Sequence, residues 1–500
     1  MAVTPLLICF ITGILSIFFI NNQKIQRVLS LLGSATLLVV SIYMAYLAIA
    51  KDQMWLMQMG KWQAPFGITF YVDLFSVLMI FISAFLAFGV NVYSVGATGE
   101  LQKKWGFHPL FHFMMVGVIG SFCTSDLFNL YVWFEVLLLG SFGLMALSEG
   151  KAALHGSIKY VVLNLFGSAF FLSGLGLLYS TAGTLNFADL IAWGQQTSNT
   201  SMIQVVGVML LVAFLMKAGA FPFYQWLPSS YPSTELSALA IFSGLLTKVG
   251  IYVIIRFFVG GFPALSDEIK LFLVISAGLT MLLGVWGAAV QMAGRQILSF
   301  HIISQIGYIL MGVASFSVAG IAGAIFYLIH HMVVKTNLFL VMGWIAKNYG
   351  GDGLPKMGEL IKRHPWLAVG FAIPALSLAG LPPFSGFWAK LLVIQSAVQA
   401  HYLWLAGISL FVGILTFYSM SKIWNEAFLK KAPEPLVQNT LSKKERWSMA
   451  IPMILFCVWT VVMGLFPEQF LQVSQRAAEG VMNSQQMQER VLNPKQVGGL

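Results

Sequence analysis

The sequence predicts an all-α protein that crosses a membrane about fourteen times, and three observations carry that expectation. Charged side chains make up only 9% of the 500 residues and hydrophobic ones 58%, where an ordinary soluble domain is about 25% charged. Apolar runs of spanning length follow one another almost without pause, and the basic residues outside them gather in alternate loops. A soluble core cannot absorb so much apolar surface, which excludes a soluble multidomain protein, a disordered chain and a disulfide scaffold. Cys9, Cys123 and Cys457 sit inside apolar runs, too few and too scattered for a metal framework or a bridge network. A net charge of +10 would suggest nucleic acid in a soluble protein. In a membrane protein it reports the excess of Lys and Arg in cytoplasmic loops, and no nucleic-acid partner is expected.

In chain order the expected spans are 3–20, 28–48, 71–96, 108–123, 127–147, 156–181, 203–225, 237–260, 268–291, 297–317, 321–346, 366–399, 403–425 and 447–469. The first begins without a basic n-region and lacks a small-residue cleavage pattern, so it reads as a spanning helix rather than a removed signal peptide. The others are helices because a backbone in lipid must satisfy its own hydrogen bonds. A β-barrel would show alternating strands of about ten residues, and none is expected.

Orientation follows from the loops. One alternate set holds Lys24, Arg27, Lys103, Lys104, Lys151, Arg295, Lys347, Lys362, Lys422 and Lys443 among others; the other set, with the C-terminal tail, holds Lys51, Lys61, Lys270, Arg476, Arg490 and Lys495. The richer set is expected in the cytoplasm of a cell (plasma) membrane protein, with both termini on the outer side. The two longest polar stretches, 347–365 and 426–446, are too short for a catalytic domain.

Glu135, Lys159, Lys217, Lys248, Arg256, Lys335 and Lys390 fall inside the expected spans. A charge at the bilayer centre costs roughly 2.5–3.5 kcal/mol on insertion scales. Lys159 and Arg256 lie close enough to helix ends to snorkel to the interface. For Glu135, Lys217, Lys248 and Lys335 a buried structural ion pair is the alternative to a transport role. One carboxylate cannot neutralise several lysines, so most need water or a neutral form, and a row of lysines in a wet interior can pass protons.

Two helices are broken at polar depth. In LMKAGAFPFYQWLP, Pro222 and Pro228 remove helix hydrogen bonds just after Lys217; in LAGLPPFSGFWAK, Pro382, Pro383 and Gly386 precede Lys390. The cores AGAFPF (218–223) and AGLPPF (379–384) match at four of six positions. An odd number of helix crossings between them gives opposite orientations, the inverted-repeat arrangement in which broken helices mark a transport site. Two unrelated proline kinks are the alternative, and the lysines lie on opposite sides of the two breaks.

His330 and His331 stand mid-helix, one turn before Lys335, with His301 on the preceding helix. Neighbouring histidines diverge by about 100° on a helix and cannot both face one metal, so proton relay is their better reading. His108 and His112 have metal spacing but no accompanying carboxylate or Cys, and read as a polar pair at a helix end. No P-loop, GxGxxG, HExxH or GxSxG occurs, so neither an enzymatic activity nor a bound cofactor or metal is expected.

Lys217-Ala-Gly-Ala-Phe-Pro-Phe-Tyr-Gln-Trp-Leu-Pro, Ser237-Ala-Leu and Thr247-Lys248-Val-Gly-Ile-Tyr resemble the signature of the proton-conducting antiporter-like subunits. That family spans respiratory complex I, membrane-bound hydrogenases and the Mrp multisubunit sodium/proton antiporters. Trp133-Phe134-Glu135, Lys159-Tyr160, His330-His331-Met-Val-Val-Lys335 and Gly380-Leu-Pro-Pro-Phe-Ser-Gly-Phe-Trp-Ala-Lys390 extend the resemblance over residues 70–425. It implies two inverted five-helix repeats: N-terminal helices over 1–107, a first repeat over 108–260 broken near 217–228, a second over 268–425 broken near 380–390, and a last helix and tail over 426–500. It also implies a Glu135–Lys217 pair and a hydrated relay through Lys248, His330 or His331, and Lys335 to Lys390; because pairing favours the ammonium and separation disfavours it, the pair is expected to act as a switch. Within the family the resemblance is to the D-type component of the Mrp antiporters. The expectation rests on a chain that ends soon after its last helix, without the lateral helix of the largest complex I homologue or the further membrane domain of the A-type Mrp component, and on lysine rather than glutamate at position 390.

The implied partners are the other subunits of a hetero-oligomeric Mrp-type complex, membrane lipid, protons and sodium. The homologous pumping subunit of complex I or of a hydrogenase, a translocase component, is one alternative. A structural subunit whose charges only hold its neighbours is another. Sodium is hard and seeks several oxygen ligands, and Glu135 is set among lysines. The chain is therefore expected to carry protons while sodium crosses elsewhere, although unwound carbonyls near Pro222 and Pro382 keep a sodium site open.

Overall fold

Short polar side chains decide where many of the helices begin. Asn22, Asp73, Asp126 and Ser317 each accept a hydrogen bond from a backbone N–H in the first turn of the helix that follows, and Ser442 with Glu445 forms a capping box. Each satisfies donors that a helix end leaves orphaned at the edge of an apolar slab. The computed structural model describes residues 1–500 except 197–199, 263–266, 434–437, 440 and 493–500.

The helices are α1 Thr4–Phe18, α2 Gln23–Lys51, α3 Leu74–Ala97, α4 Glu100–Lys104, α5 Phe107–Cys123, α6 Leu127–Ala146 and α7 Lys151–Ala182. Next come α8 Phe187–Gln196, α9 Thr200–Ala218, α10 Trp226–Ser230, α11 Leu236–Ile254, α12 Asp267–Val290, α13 Gly294–Ala314 and α14 Val318–Tyr349. The last are α15 Leu360–Arg363, α16 Pro365–Ala379, α17 Ser385–Gln399, α18 Leu403–Ile423, α19 Lys443–Leu465, α20 Pro467–Met482 and α21 Ser484–Leu492. Among the described residues, 11 helices are long and apolar enough to cross a membrane, and α1, α5 and α16 are shorter apolar helices. The chain is thus an all-helical, multi-span membrane protein.

The structure adds detail to the expected spans. Residues assigned to no element, or to the start of the third span, form an antiparallel hairpin, β1 Trp55–Gln58 with β2 Thr69–Val72, Trp55 facing Val72. The span 366–399 is two helices, α16 and α17, and the span 203–225 ends as regular helix at Ala218. The C-terminal tail is not a plain extension: α20 packs across α3 and α14, and α21 against α8. Ser474, Ala477, Ala478 and Val481 recur at three- and four-residue spacing on the buried face of α20, the amphipathic pattern of a helix lying on a core.

α11, α13 and α14 are almost wholly buried, whereas in α2, α7 and α18 most residues are half-buried or exposed. Exposed apolar side chains such as Val39, Phe166, Leu410 and Ile414 lie on those outer helices, the disposition that lipid requires. α14 packs against α11, α13 and α17 in turn. The mid-helix lysines and histidines of the sequence therefore fall in the interior of the bundle.

Candidate functional site

The first broken helix ends because Gly219 takes φ +68, a left-handed conformation that glycine adopts without a Cβ clash, and because Pro222 has no N–H to continue the ladder. The Phe221–Pro222 bond is cis. The freed backbone is satisfied from α12 and α10: Phe221 N–H donates to Thr280 Oγ1 at 2.9 Å, Ser276 Oγ donates to Phe221 O at 2.7 Å, and Trp226 Nε1 donates to Met216 O at 3.0 Å. Gly250 of α11 makes room for this break, since a Cβ built on it would stand 2.6 Å from Ala218 N and 2.9 Å from Phe214 O.

Lys217, in the last turn of α9, is buried, and its ammonium stands 5.6 Å from the centre of the Phe134 ring with no hydrogen-bond partner. Glu135 on α6 is half-buried and accepts a hydrogen bond from the Ser168 hydroxyl of α7. The two are electrostatic neighbours, yet the described ion pairs do not join them, and the lysine sits over the aromatic face instead.

From Lys217 the charged groups continue through the centre of the bundle. Lys248, fully buried on α11, donates to the Ser243 carbonyl of its own helix. Lys335 on α14 donates to Leu298 O of α13 at 3.0 Å. His331, one turn before Lys335, has Lys248, Lys335, His330 and His301 as its electrostatic neighbours, and both its ring nitrogens lack a protein partner, as do both of His301.

The second break lies against the other face of α14. Gly380 takes φ +91, and the Pro382–Pro383 bond is cis. His330 Nδ1 is 2.9 Å from Ser385 Oγ, which is 3.2 Å from Ser377 Oγ, and Gly386 N–H donates to Ser377 Oγ at 3.1 Å. Lys390 Nζ donates to Ala379 O at 2.9 Å, the last residue of α16, and lies 4.8 Å from the centre of the Tyr308 ring. Tyr308 stacks on Tyr327 with centroids 5.8 Å apart, and Tyr327 meets the His330 ring edge-on at 5.6 Å.

Glu135, Lys217, Lys248, His330, His331, Lys335 and Lys390 therefore lie between or beside the two breaks, with Glu135 half-buried and the other six buried within the bundle. A protonated lysine carries three N–H donors, and each of Lys217, Lys248, Lys335 and Lys390 has at most one protein acceptor. The remaining donors are suited to water, and a set of lysines and imidazoles spaced along wet contacts can hand a proton on in either direction.

Ser385, Ser377, Tyr308, Tyr327 and Gln305, whose Oε1 accepts from the Tyr327 hydroxyl at 2.5 Å, join this network without having been expected. Ser385 was legible inside the second break, and Tyr327 stands three residues before His330, a spacing that shares a helix face. Arg256 corrects an expectation outright. It does not snorkel but is buried, its Nη1 and Nη2 donating to Asp73 Oδ2 at 2.7 Å and Oδ1 at 2.6 Å. Lys159 does face outward on α7. His112 Nε2 lies 2.9 Å from Ser30 Oγ, while His108 has no polar partner. Among the described residues no three His, Cys, Asp or Glu side chains converge as a metal site requires.

Between Arg295 and Lys347 a polar cavity of about 400 Å³ is lined by Gln102, Glu149, Glu235, Arg295, Lys347 and Asn439. Glu235 caps α11, accepting from Ala238 N–H at 2.8 Å and from the Thr98 hydroxyl at 3.0 Å. Burial raises its carboxyl above the usual range, against the hydrogen bonds from Ala238, Ser237 and Thr98 that lower it.

Residues 124–416 match the family model described as NADH:quinone oxidoreductase/Mrp antiporter, TM. The chain is 39% identical over 97% of its length to the D subunit of the Na(+)/H(+) antiporter of Alkalihalophilus pseudofirmus, of which 97% is covered. It is 36% identical over 98% of its length to the D subunit of the Na(+)/H(+) antiporter of Bacillus subtilis, of which 99% is covered. A chain of the Mrp complex from Dietzia sp. DQ12-45-1b superposes with a TM-score of 0.90 at 30% identity, covering 98% of this chain and 99% of that one. The matched segment holds both breaks and every lysine and histidine of the buried row, and the chain belongs to the NADH:quinone oxidoreductase/Mrp antiporter family of membrane subunits.

Proposed function

We propose that this chain is the proton-translocating subunit, of the D type, in a multisubunit sodium/proton antiporter of the plasma membrane. Its partners are the other subunits of a hetero-oligomeric complex, and sodium crosses outside the buried row of lysines. The observation that carries the reading is the buried row Lys248, His331 with Lys335 and His301, and His330 with Ser385 and Lys390, which runs through α11 and α14 to the second broken helix, with Lys217 at the first break on α9, which packs against α11. Full-length similarity to two antiporter D subunits supports it.

The reading extends to the finer architecture. Eleven long and three short apolar helices among the described residues suit fourteen crossings, with α16 and α17 as the halves of one broken crossing. Two inverted repeats over 108–260 and 268–425 account for a left-handed glycine at the same place in AGAFPF and AGLPPF. Fourteen crossings put both termini on the outer side, given the basic loops inside. The experiment is sodium-induced ΔpH in everted vesicles holding the whole complex. Lys217→Ala, Lys248→Met and Lys390→Ala are each expected to abolish exchange at normal assembly. Wild-type exchange in all three at wild-type expression would overturn the proposal, and loss of the complex with each variant would favour a structural role.

A further inference from the structure

α11 carries Lys248 and Tyr252, and Arg256 follows in the π-helical turn Ile255–Val259 that continues it; the three stand at intervals of four residues and form one stripe. Above Lys248 the stripe is a closed network. Tyr252 OH lies 2.9 Å from Ser76 Oγ and donates to Phe122 O at 3.0 Å, and Arg256 Nη2 donates to Ser76 Oγ at 3.0 Å and to Tyr252 OH at 3.2 Å. Both carboxylate oxygens of Asp73 are taken by the Arg256 guanidinium, which is flanked by the Phe75 and Tyr252 rings at 5.6 and 5.4 Å.

The other side of Asp73 faces a polar cavity of about 280 Å³, lined by Asp52, Tyr71, Asp73, Glu479, Gln486 and Arg490 among others. This cavity lies at the end of the bundle opposite the one where Glu235 caps α11, beneath the tail helices α20 and α21. Lys248 is turned away from it, toward the Ser243 carbonyl. From Lys248 to Tyr252 the helix rises by about 6 Å, within the swing of a lysine side chain.

We infer that the Asp73–Arg256 pair is the outer gate of the proton path, closed while Lys248 is turned inward, and that the cavity above Asp73 is the path's outer mouth. This rests on the reading of Lys248 as a proton carrier. A buried ion pair contributes little net stability compared with apolar packing, and a like charge brought beside one partner disfavours it. An approaching Lys248 ammonium is such a charge: it competes for Asp73 and repels Arg256. When the pair separates, the proton leaves Lys248 through the Tyr252 and Ser76 hydroxyls to water in the cavity, and the neutral lysine returns.

The test uses the assembled complex in proteoliposomes. Asp73→Asn removes the lock and is expected to give a proton leak that needs no sodium, read as ΔpH decay several-fold faster than wild type. Asp73→Glu keeps the lock and is expected to restore a tight membrane. The leak is expected to vanish in the Asp73→Asn/Lys248→Met double variant, because it must run through Lys248. An assembled Asp73→Asn complex that holds ΔpH and exchanges sodium normally would overturn the gate, as would a leak that persists in the double variant. If Asp73→Asn fails to assemble, Gln486→Cys treated with a membrane-impermeant anionic thiol reagent decides: slowed exchange supports the mouth, and complete labelling with an unchanged rate overturns it. Lys248→Met alone separates the two ideas. Wild-type exchange in that variant overturns the relay itself, whereas its loss beside a tight, active Asp73→Asn complex overturns only the gate.

Discussion

His330 Nδ1 lies 2.9 Å from the hydroxyl of Ser385, the first residue of α17, so an imidazole in the centre of the bundle is tied to the point where the second broken helix resumes. The same hydroxyl meets Ser377 on α16, and one turn further along α17 Lys390 reaches back to the end of α16. The break is thus a small polar hub joining the histidine row to the last lysine.

Ser385→Ala is expected to keep the fold, because one lost hydrogen bond costs about 1 kcal/mol, while severing His330 from the hub. Sodium-induced ΔpH should fall sharply at normal assembly, and Ser385→Thr should recover part of it by restoring a hydroxyl. Equal rates for Ser385→Ala and wild type would show that the proton does not use this contact.

Packing at the first break gives a second expectation. A Cβ at Gly250 would meet backbone atoms of Ala218 and Phe214, which cannot rotate aside. Overpacking of this kind costs about 1–3 kcal/mol, so Gly250→Ala should lower the thermal stability of the complex and displace the end of α9 that carries Lys217. A thermal midpoint and exchange rate matching wild type would show that the approach of α9 to α11 is not required.

Much of this site was legible in the sequence because charge in an apolar run is expensive and therefore conspicuous. Lys248, His331 and Lys335 stood out for that reason. Asp73 did not, since it opens an expected span and reads as an edge residue; its partner Arg256 looked like a snorkelling end for the same reason. Whether such a residue turns outward or inward depends on a contact 183 positions away in the chain, which no local pattern contains. The hairpin at Trp55–Val72 escaped because its strands are four residues long, shorter than a search for spanning runs can register. The α20 stripe of Ser474, Ala477, Ala478 and Val481 is legible as amphipathic but not as apolar.

Glu235 makes stability depend on pH. Its carboxyl in the folded chain is raised above the ordinary value of 4.5, chiefly by burial. The folded chain therefore holds that proton more tightly than the unfolded one, so the contribution is fully present below the ordinary value and is lost as pH rises through the raised one. Glu235→Gln, which keeps an oxygen to cap α11, should flatten this dependence. Thermal midpoints of the purified complex between about pH 4.5 and 7 would measure it, and identical slopes in the two proteins would remove Glu235 as the cause.

Glu135 and Lys217 provide the last expectation, because the structure catches them apart: the carboxylate is held by Ser168 and the ammonium lies over Phe134. If the pair is a switch, this is its open position, and closing it brings Glu135 to Lys217 and stabilises the charged amine. Each residue then has a resting partner that must be released, so Ser168→Ala should bias the switch toward the closed pair and change the rate of exchange without changing assembly. Glu135→Gln keeps shape and hydrogen bonding but removes the attraction, and should stall the cycle; Glu135→Asp keeps the charge with a shorter reach and should retain part of it. A structural ion pair makes the opposite demand. Removing one charge leaves the other buried and uncompensated, at a cost of about 3–5 kcal/mol, and removing both relieves it. The decisive comparison is therefore Glu135→Gln, Lys217→Met and the double variant, scored for assembly and for sodium-dependent ΔpH. Assembly without exchange in all three is the outcome expected of a switch, whereas exchange regained in the double variant would show that the two charges only hold the bundle together.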